Sequence, residues 1–373
     1  MINLDNAAGT PVCPEARQAF LDALAPGNPS SLHAAGRAAR ACLDGARTVL
    51  QTALDCERVV FTSGGTESIN LALRGAAGAY GRKKKHIVTT TFEHPATVST
   101  LSALKAAGFS VTEVPPRADG RIHPEDVAAA VTGETFLVTV TQVAGETGAL
   151  LDVEALARLL RGQRDAPAPA ERDGGSLLLH VDAVQGFLKF PVSVQKSGID
   201  LLSISGHKVH APMGTGALAV APRVRLVPQM TGGGQENGLR GGTEALPLIA
   251  ALAAAARAWS PVDSRLTAYA ARRLETSGWT LVPGSDAPIL SAAFPGVPGE
   301  ALLRTLSDRG VLTGSGSACS RGRRSAALLS IKTLPAWVAD SVIRLSFSRF
   351  TAMEELEAAM EIILETARSF SPR

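Results

Sequence analysis

Short apolar runs alternate with longer Ala- and Leu-rich segments through the first two thirds of the chain. The runs lack the alternation of polar and apolar residues that marks a half-exposed strand, which indicates strands buried on both faces. The pattern predicts strands at residues 59–62, 86–89, 135–141, 177–181, 201–205 and 216–220, and helices at residues 68–77, 96–107 and 153–161. This strand–helix–strand order favours a mostly parallel sheet with helices on both faces.

The pattern changes after about residue 245. A long Ala-rich helix is predicted at residues 245–259, followed by separate strands at 288–294 and 342–346 and by helices at 300–309 and 353–368. Residues 165–175, rich in Pro, Gly and charge, are typical of a surface loop. The chain is therefore expected to be an α/β protein whose main sheet is followed by a smaller α+β region.

Composition excludes several classes of protein. The 373 residues are 45% hydrophobic and 19% charged, which is globular rather than disordered composition. A net charge of +3 is too small an excess to argue for a nucleic acid or an anionic membrane as a partner. The sequence shows neither an apolar run long enough for a membrane span nor the pattern of a signal peptide. We expect a cytoplasmic protein of about two domains.

Two charged residues stand at the carboxyl ends of predicted strands, the edge where open α/β sheets bind ligands. Lys208 follows the run 201–205, and burial there would make its amine nucleophilic, as a Schiff-base lysine requires. Asp182 follows the run 177–181 and needs a cationic partner, such as the pyridine nitrogen of pyridoxal 5′-phosphate (PLP). A lysine extending into solvent and a structural Asp are the alternatives. The other seven lysines, Lys189 among them, are predicted to be solvated.

A glycine-rich turn and a histidine are further candidates. Residues 62–67, Thr-Ser-Gly-Gly-Thr-Glu, join a strand to a helix, where small residues let backbone N–H groups approach a phosphate. The turn is neither a Walker loop nor G-x-G-x-x-G, which disfavours an NAD enzyme. His94 begins the next helix, where an imidazole could stack on an aromatic cofactor and exchange protons with it. An ordinary turn and a solvated histidine are the alternatives.

The cysteines form no C-x-x-C pair and no metal-ligand spacing, so we expect free thiols and no metal site. Cys319 lies in a Gly- and Ser-rich segment beside arginines 321, 323 and 324, whose charges would lower the pKa of its thiol. Flexible flanks would let the thiolate reach a bound substrate. Cys13, Cys42 and Cys56 lack these surroundings and are predicted to be structural or incidental.

Arg344 lies within an apolar predicted strand. A guanidinium in such a place needs an anion, and a carboxylate can accept two hydrogen bonds from it. The carboxylate could belong to a substrate or to a structural Asp or Glu.

Taken together, these motifs resemble the cysteine desulfurases of the NifS/IscS type, within the class V aminotransferase family. The resemblance extends from residues 4–8 to residues 344–351. It implies PLP-dependent fold type I, with a large α/β domain at residues 14–255 and a small α+β domain formed by residues 1–13 and 256–373. Its most specific segments are 27–33 (GNPSSLH), 62–68 (TSGGTES), 181–185 (VDAVQ), 205–208 (SGHK), 232–236 (GGGQE), 240–244 (RGGTE) and 314–319 (GSGSAC).

The resemblance also implies roles for individual residues. Lys208 would bind PLP covalently and later move the substrate Cα proton, and Cys319 would take the sulfur of L-cysteine as a persulfide while L-alanine leaves. Asn28 and Arg344 would bind the substrate. The persulfide would pass to a sulfur-acceptor or scaffold protein, for iron–sulfur cluster assembly, tRNA thiolation or another pathway. The other cofactor contacts would come from Gly65, Thr66, His94, Asp182, Gln185, Ser205, His207 and, across a homodimer, Thr243.

Three departures from the family pattern leave other functions open. Gly145 replaces the second of two asparagines, which removes a hydrogen bond worth about 0.5–1.5 kcal/mol. Gly9 replaces the first Thr of a Thr-Thr-Pro motif, and the residues after Cys319 are basic. The alternatives are a selenocysteine lyase, a cystine lyase, an aminotransferase, or a homologue with weak or lost turnover.

Overall fold

A computed structural model describes residues 1–25, 27–165, 177–315 and 324–370. The strands predicted in the first two thirds of the chain form one mostly parallel sheet. Neighbouring strands from β7 to β4 run parallel, whereas β8 is antiparallel to both its neighbours. The predicted mostly parallel sheet is confirmed. Numbered along the chain and given in sheet order, its strands are β2 (Val59–Thr62), β8 (Gly216–Val220), β7 (Leu201–Ser205), β6 (Leu178–Asp182), β5 (Thr135–Thr141), β3 (His86–Thr90) and β4 (Ser110–Val114).

Helices cover both faces of this sheet, which explains why its strands lack a polar face. Ile87 and Leu178 pack in one apolar cluster, and the residues that follow them, Val88 and Leu179, pack in another. The first cluster includes residues of α3 (Gly65–Tyr80) and α4 (Pro95–Ala106). The second includes residues of α1 (Pro14–Asp22), α2 (Ala34–Leu54), α5 (Pro124–Ala129), α6 (Val153–Asp165), α7 (Val194–Ser197) and α8 (Leu246–Arg257).

A second sheet joins the N-terminus to the last third of the chain. β1 is parallel to β11, and the remaining neighbours are antiparallel. A separate apolar cluster forms between this sheet and α9 (Ser264–Glu275), α10 (Gly299–Asp308) and α13 (Met353–Ser369). The pairing of β1 accords with a small domain built from both ends of the chain, whose boundaries stay a prediction. The sheet order is β1 (Ile2–Leu4), β11 (Val311–Ser315), β12 (Val342–Ser346), β10 (Ile289–Ala293) and β9 (Thr280–Leu281).

The sequence prediction assigned no element to residues 14–54, where the structure has α1 and α2. The apolar residues of α2 recur every three to four positions, and Leu43, Leu50 and Leu54 are fully buried. β4 was also missed, because it lies at the sheet edge and is mostly exposed. The short α11 (Ala326–Ser330) and α12 (Val338–Ser341) complete the described helices, none of which is both long and apolar enough to cross a membrane.

Replacing Leu50 by Ala tests the packing of α2 on the main sheet. Leu50 is fully buried, so Leu50→Ala should lower the free energy of unfolding by about 2–5 kcal/mol. The measurement is urea denaturation followed by circular dichroism. Leu24→Ala is the control, because Leu24 is 57% exposed and should change the value by less than about 0.5 kcal/mol. Equal losses in both variants would contradict the described packing.

Candidate active site

Two neighbouring parallel strands bring Asp182 and Lys208 to one edge of the main sheet. Asp182 is the last residue of β6 and is in register with Ser203 of β7. Lys208 ends the 3-10 turn Gly206–Lys208, which directly follows β7. Burial raises the pKa of Asp182, and the positive charge of Lys208 acts against that rise. The carboxyl ends of the two strands therefore place an amine and a carboxyl within electrostatic reach of each other.

Asp182 is a buried carboxyl in need of positive charge. It is 3% exposed, and its Oδ1 accepts a hydrogen bond of 2.9 Å from the N–H of Val184. Burial raises its pKa to about 6, although the Val184 N–H and the charge of Lys208 both act in the opposite direction. A protonated aromatic nitrogen against this carboxyl would supply the missing charge. Asp182 therefore fits the pyridine nitrogen of PLP.

The side chains of Lys208 and Gln185 meet at one main-chain oxygen. The carbonyl of Ala7 accepts hydrogen bonds of 2.6 Å from Lys208 Nζ and of 2.8 Å from Gln185 Nε2. Lys208 Nζ also donates to the carbonyl of Ala8 at 2.8 Å. The aldehyde and the phenolic oxygen of PLP stand on adjacent ring carbons. An amine and an amide that converge on one acceptor fit that pair of groups.

His94 caps the N-terminus of α4 with its ring. Its Nδ1 accepts a hydrogen bond of 3.0 Å from the N–H of Ala96, so a neutral ring carries its proton on Nε2. Burial lowers the pKa of His94, and the charge of Lys208 lowers it further. The imidazole is therefore held neutral and oriented, as stacking on an aromatic cofactor requires.

The turn before α3 and the turn after β7 lie side by side and consist of small and hydroxyl residues. A Cβ at Gly65 would lie only 2.8 Å from Val184 Cγ2, so a larger residue does not fit there. Ser205 Oγ and His207 Nδ1 are hydrogen-bonded at 2.8 Å. Burial and the charge of Lys208 lower the pKa of His207 to about 4. A phosphate would bring the negative charge that favours a protonated His207, so this donor set fits a phosphate group.

Arg344 lies buried on β12 and already contacts a carboxylate. Its Nη2 donates to Asp5 Oδ1 at 2.9 Å, and its Nη1 donates to the carbonyl of Gly145 at 2.8 Å. Its Nε is buried without a hydrogen-bond partner in the described part of the chain. The structural acidic partner that the sequence left open is therefore Asp5.

Three of the predicted site residues have exposed side chains. Thr66 lies in the first turn of α3 and is exposed. Asn28 is exposed, and its Oδ1 accepts a hydrogen bond from the N–H of Ser30. Thr243 is also exposed. Cys319 lies outside the described residues.

The thiols of Cys13, Cys42 and Cys56 are free, as predicted. Burial raises the pKa of Cys56 to about 12 and also raises the pKa of Cys13. Both thiols are therefore poor nucleophiles at neutral pH.

The prediction that Lys189 is solvated is wrong. Its side chain is partly buried, and its Nζ donates to the carbonyls of Gln185 at 3.0 Å and Lys208 at 3.3 Å. The sequence gives one sign that Lys189 is partly buried: it is flanked by two apolar residues, Leu188 and Phe190.

Sequence reasoning also missed Glu93, a buried carboxyl beside His94. Its Oε1 accepts hydrogen bonds from Thr90 Oγ1 at 2.7 Å and from the N–H of Thr141 at 3.0 Å. Its Oε2 has no hydrogen-bond partner among the residues described. Burial raises the pKa of Glu93 to about 8, and the charge of Asp182 adds to the rise.

Glu93→Gln should make the PLP-free protein more stable at alkaline pH. The folded chain holds the Glu93 proton up to about pH 8, whereas an ordinary glutamate releases it near 4.5, so wild-type stability falls as pH rises through this window. The fall approaches about 1.4 kcal/mol per pH unit, and Gln avoids it. Urea denaturation at several pH values should show two curves that converge at acid pH. Glu57→Gln is the control, because Glu57 is exposed. If wild type and Glu93→Gln differed in stability by the same amount at every pH, the raised pKa of Glu93 would be contradicted.

Comparisons with known proteins agree with this geometry. The class-V aminotransferase family matches residues 2–359. A protein named cysteine desulfurase IscS from Shewanella piezotolerans is 37% identical, over 100% of this chain and 94% of that protein. One of the same name from Proteus mirabilis is also 37% identical, over 97% of this chain and 91% of its own length.

Solved structures extend the agreement to the fold. A NifS-like protein superposes with a TM-score of 0.88 at 29% identity, covering 99% of this chain and 100% of that one. A structure titled SspA in complex with cysteine superposes with a TM-score of 0.80 at 31% identity, covering 94% of this chain and 100% of that one. The predicted PLP-dependent fold type I is confirmed. The chain belongs to the class-V aminotransferase family.

Proposed function

We propose that this chain is a PLP-dependent cysteine desulfurase, which takes sulfur from L-cysteine, releases L-alanine and keeps the sulfur on Cys319 as a persulfide. The observation that carries the proposal is the meeting of the Lys208 and Gln185 side chains at the Ala7 carbonyl, beside the buried Asp182. Relatives named cysteine desulfurase and a structural neighbour solved with cysteine support the same substrate.

The carboxyl edge of the main sheet would hold the cofactor. Lys208 would bind the aldehyde carbon of PLP, Asp182 its ring nitrogen and Gln185 its phenolic oxygen. Bound there, the protonated ring supplies an electron sink for the charge that develops on the substrate Cα. His94 would stack on the ring, and the phosphate would be held by Gly65, Thr66, Ser205 and His207.

Proton movement at the substrate Cα is assigned to Lys208. Lys208 Nζ lies just beyond the end of β7, within hydrogen-bond distance of the Ala7 and Ala8 carbonyls, and in its neutral form an amine there can accept a proton. His94 keeps an Nε2–H because its Nδ1 is occupied by the Ala96 N–H, so it can donate but not accept at the ring edge. The two residues would therefore have distinct roles, one as base and one as a fixed donor.

Arg344 is assigned to the substrate carboxylate, with Asn28 as a further substrate contact. Asp5 and the Gly145 carbonyl hold the guanidinium of Arg344 in place. The arginine is therefore oriented before the substrate arrives, which lowers the entropy lost on binding.

Both described ends of the segment that carries Cys319 lie against the surroundings of Arg344. A Cβ at Gly314 would lie 2.8 Å from Arg344 Nη2. Ser325 Oγ donates a hydrogen bond to Glu146, a half-buried carboxyl. Partial burial raises the pKa of Glu146, while the Ser325 hydrogen bond and the charge of Arg344 act in the opposite direction. This placement supports Cys319 as the sulfur acceptor.

A cytoplasmic homodimer is part of the proposal. Glu67 in the first turn of α3 accepts hydrogen bonds from the Ser63 N–H at 2.8 Å and from Arg240 Nε at 2.9 Å. This contact ties the phosphate turn to the segment that presents Thr243, which would reach the cofactor phosphate of a second subunit. The persulfide would then pass to a sulfur-acceptor or scaffold protein, as in iron–sulfur cluster assembly.

A second candidate function rests on the space at Gly145. A Cβ there would meet only Gln185 Cγ and Nε2, both at 3.7 Å, which is an ordinary contact. The chain thus leaves room beside Gln185 where the family pattern has an asparagine. That room favours, as the alternative, another reaction of the same cofactor: a selenocysteine lyase, a cystine lyase or an aminotransferase.

Substitutions of Lys208 and Cys319 separate cofactor binding from sulfur transfer. Lys208→Ala should abolish the yellow visible absorbance, because the covalent link to PLP is lost. Cys319→Ala should keep the absorbance and lose the persulfide that mass spectrometry detects after incubation with L-cysteine. Cys42→Ala is the control, since Cys42 is exposed and should leave both signals unchanged. Sulfide production from L-cysteine that survives Cys319→Ala would refute the persulfide role.

Gly145→Asn tests the second candidate. Restoring the amide should raise the rate of alanine formation from L-cysteine roughly 2- to 10-fold, which corresponds to the 0.5–1.5 kcal/mol of one hydrogen bond. Gly145→Ala fills the space without an amide and should give no such gain. The measurement compares L-cysteine, L-selenocysteine and L-cystine as substrates. A wild-type preference for L-cystine that disappears in Gly145→Asn would favour the alternative reaction instead.

A further inference from the structure

Lys189 lies against the main chain of the cofactor lysine. Its Nζ donates hydrogen bonds to the carbonyl of Lys208 at 3.3 Å and to the carbonyl of Gln185 at 3.0 Å. One ammonium group therefore holds the backbone of two residues whose side chains converge on the Ala7 carbonyl. Nothing in the proposed mechanism uses this second lysine.

The turn that carries Lys189 is held in a strained conformation. Leu188 has a φ of 64°, in the left-handed region that is unfavourable for a residue other than glycine. The turn is held closed by hydrogen bonds to the Gly186 carbonyl from the N–H groups of Lys189 at 2.9 Å and Phe190 at 3.0 Å. Strain of this kind persists where the surrounding structure requires a particular backbone path. Here that path brings the Lys189 side chain to Lys208.

The titratable groups that interact with Lys189 on the side that faces the site are basic, whereas the carboxyl of Asp182 interacts with Lys208 from β6. Burial and the charge of Lys208 lower the pKa of Lys189 to about 7, and Lys189 in turn lowers the pKa values of His207 and His210. The N-terminal segment contributes uncharged residues to the small cavity shared by Lys189 and Lys208. On its other side Lys189 borders a cleft of about 490 Å³, whose charged lining residues are Asp55, Glu154 and Lys196.

We propose that Lys189 is a positioning residue for Lys208: it fixes the Lys208 backbone and places a second positive charge nearby, which favours the neutral, nucleophilic form of the Lys208 amine. A neighbouring cation is a known way to activate a lysine for reaction with carbonyl groups, because two adjacent positive charges repel. This inference rests on the proposed function, since it assumes that Lys208 is the residue that binds PLP.

Lys189→Gln removes the charge and keeps a hydrogen-bond donor, while Lys189→Arg keeps the charge. Visible absorbance of the PLP-loaded, full-length chain, titrated with pH, reports protonation of the nitrogen that joins Lys208 to PLP. The midpoint should rise by about half to one pH unit in Lys189→Gln. The rate of PLP uptake by the PLP-free chain at neutral pH should fall roughly 3- to 10-fold, because less of the amine is neutral.

The controls distinguish charge from structure. Lys189→Arg should keep the wild-type midpoint, and so should Lys196→Gln, which removes a charge from an exposed lysine on the same cleft. An unchanged midpoint in Lys189→Gln, or an equal shift in Lys189→Arg, would overturn the proposal. A wild-type chain that takes up no PLP at all would instead refute the proposed function.

The effect of Lys208 on Lys189 can also be measured without replacing Lys189. This test remains valid even if the Lys189 variants fold poorly. In the PLP-free chain, Lys208→Ala removes the positive neighbour of Lys189, and the pKa of Lys189 should rise. Reductive methylation at several pH values, with each lysine followed by mass spectrometry, measures this pKa in both chains. Reactivity of Lys189 that is identical in the wild type and in Lys208→Ala would exclude an electrostatic interaction between the two amines.

Discussion

The burial of one carboxyl group, that of Asp182, sets the requirements of the whole site. Removing a carboxylate from water is costly unless positive charge lies nearby, and burial accordingly raises the pKa of Asp182 to about 6. The parallel pairing of β6 with β7 brings the turn with Lys208 to the same sheet edge. A cationic cofactor nitrogen would complete what Lys208 supplies in part. Asp182 itself is only 3% exposed, so nearby charges act on it strongly.

The N-terminal segment connects the site to the second sheet. Asn6 Nδ2 donates to the carbonyl of Ser346 at 2.9 Å, and the N–H of Ala7 donates to Ser346 Oγ at 2.8 Å. A few residues on, Thr10 donates through both its N–H and its hydroxyl to the carbonyl of His207. Thr10 therefore anchors the segment despite the glycine that precedes it. The same stretch presents the Ala7 and Ala8 carbonyls to Lys208, so β12 and the cofactor edge are held at a defined separation.

Much of the fold and of the site was predictable because the signals are local. β2, β5, β7, β8 and β12 begin and end where the apolar runs do, since a strand buried on both faces needs no polar residues. Asp182 and Lys208 stood out because charged residues directly after such runs must face the sheet edge. The helices at residues 14–54 escaped prediction because their mixed Ala and Arg composition shows its apolar face only when the three-to-four-residue spacing is traced. The placement of Thr243 relative to a second subunit and the role of Cys319 stay predictions.

The sequence by itself determined the class of fold, the order of strands along the chain and the chemical identity of the strand-end residues, because these depend on runs of neighbouring residues. Only the tertiary structure decided which partners those residues have. Arg344 pairs with Asp5 from the opposite end of the chain. Lys189, polar in sequence and predicted to be solvated, is turned inward by the Gly186–Phe190 turn onto the Lys208 main chain. Such contacts join segments far apart in sequence or depend on the path of a strained turn, and no local pattern of residues encodes either.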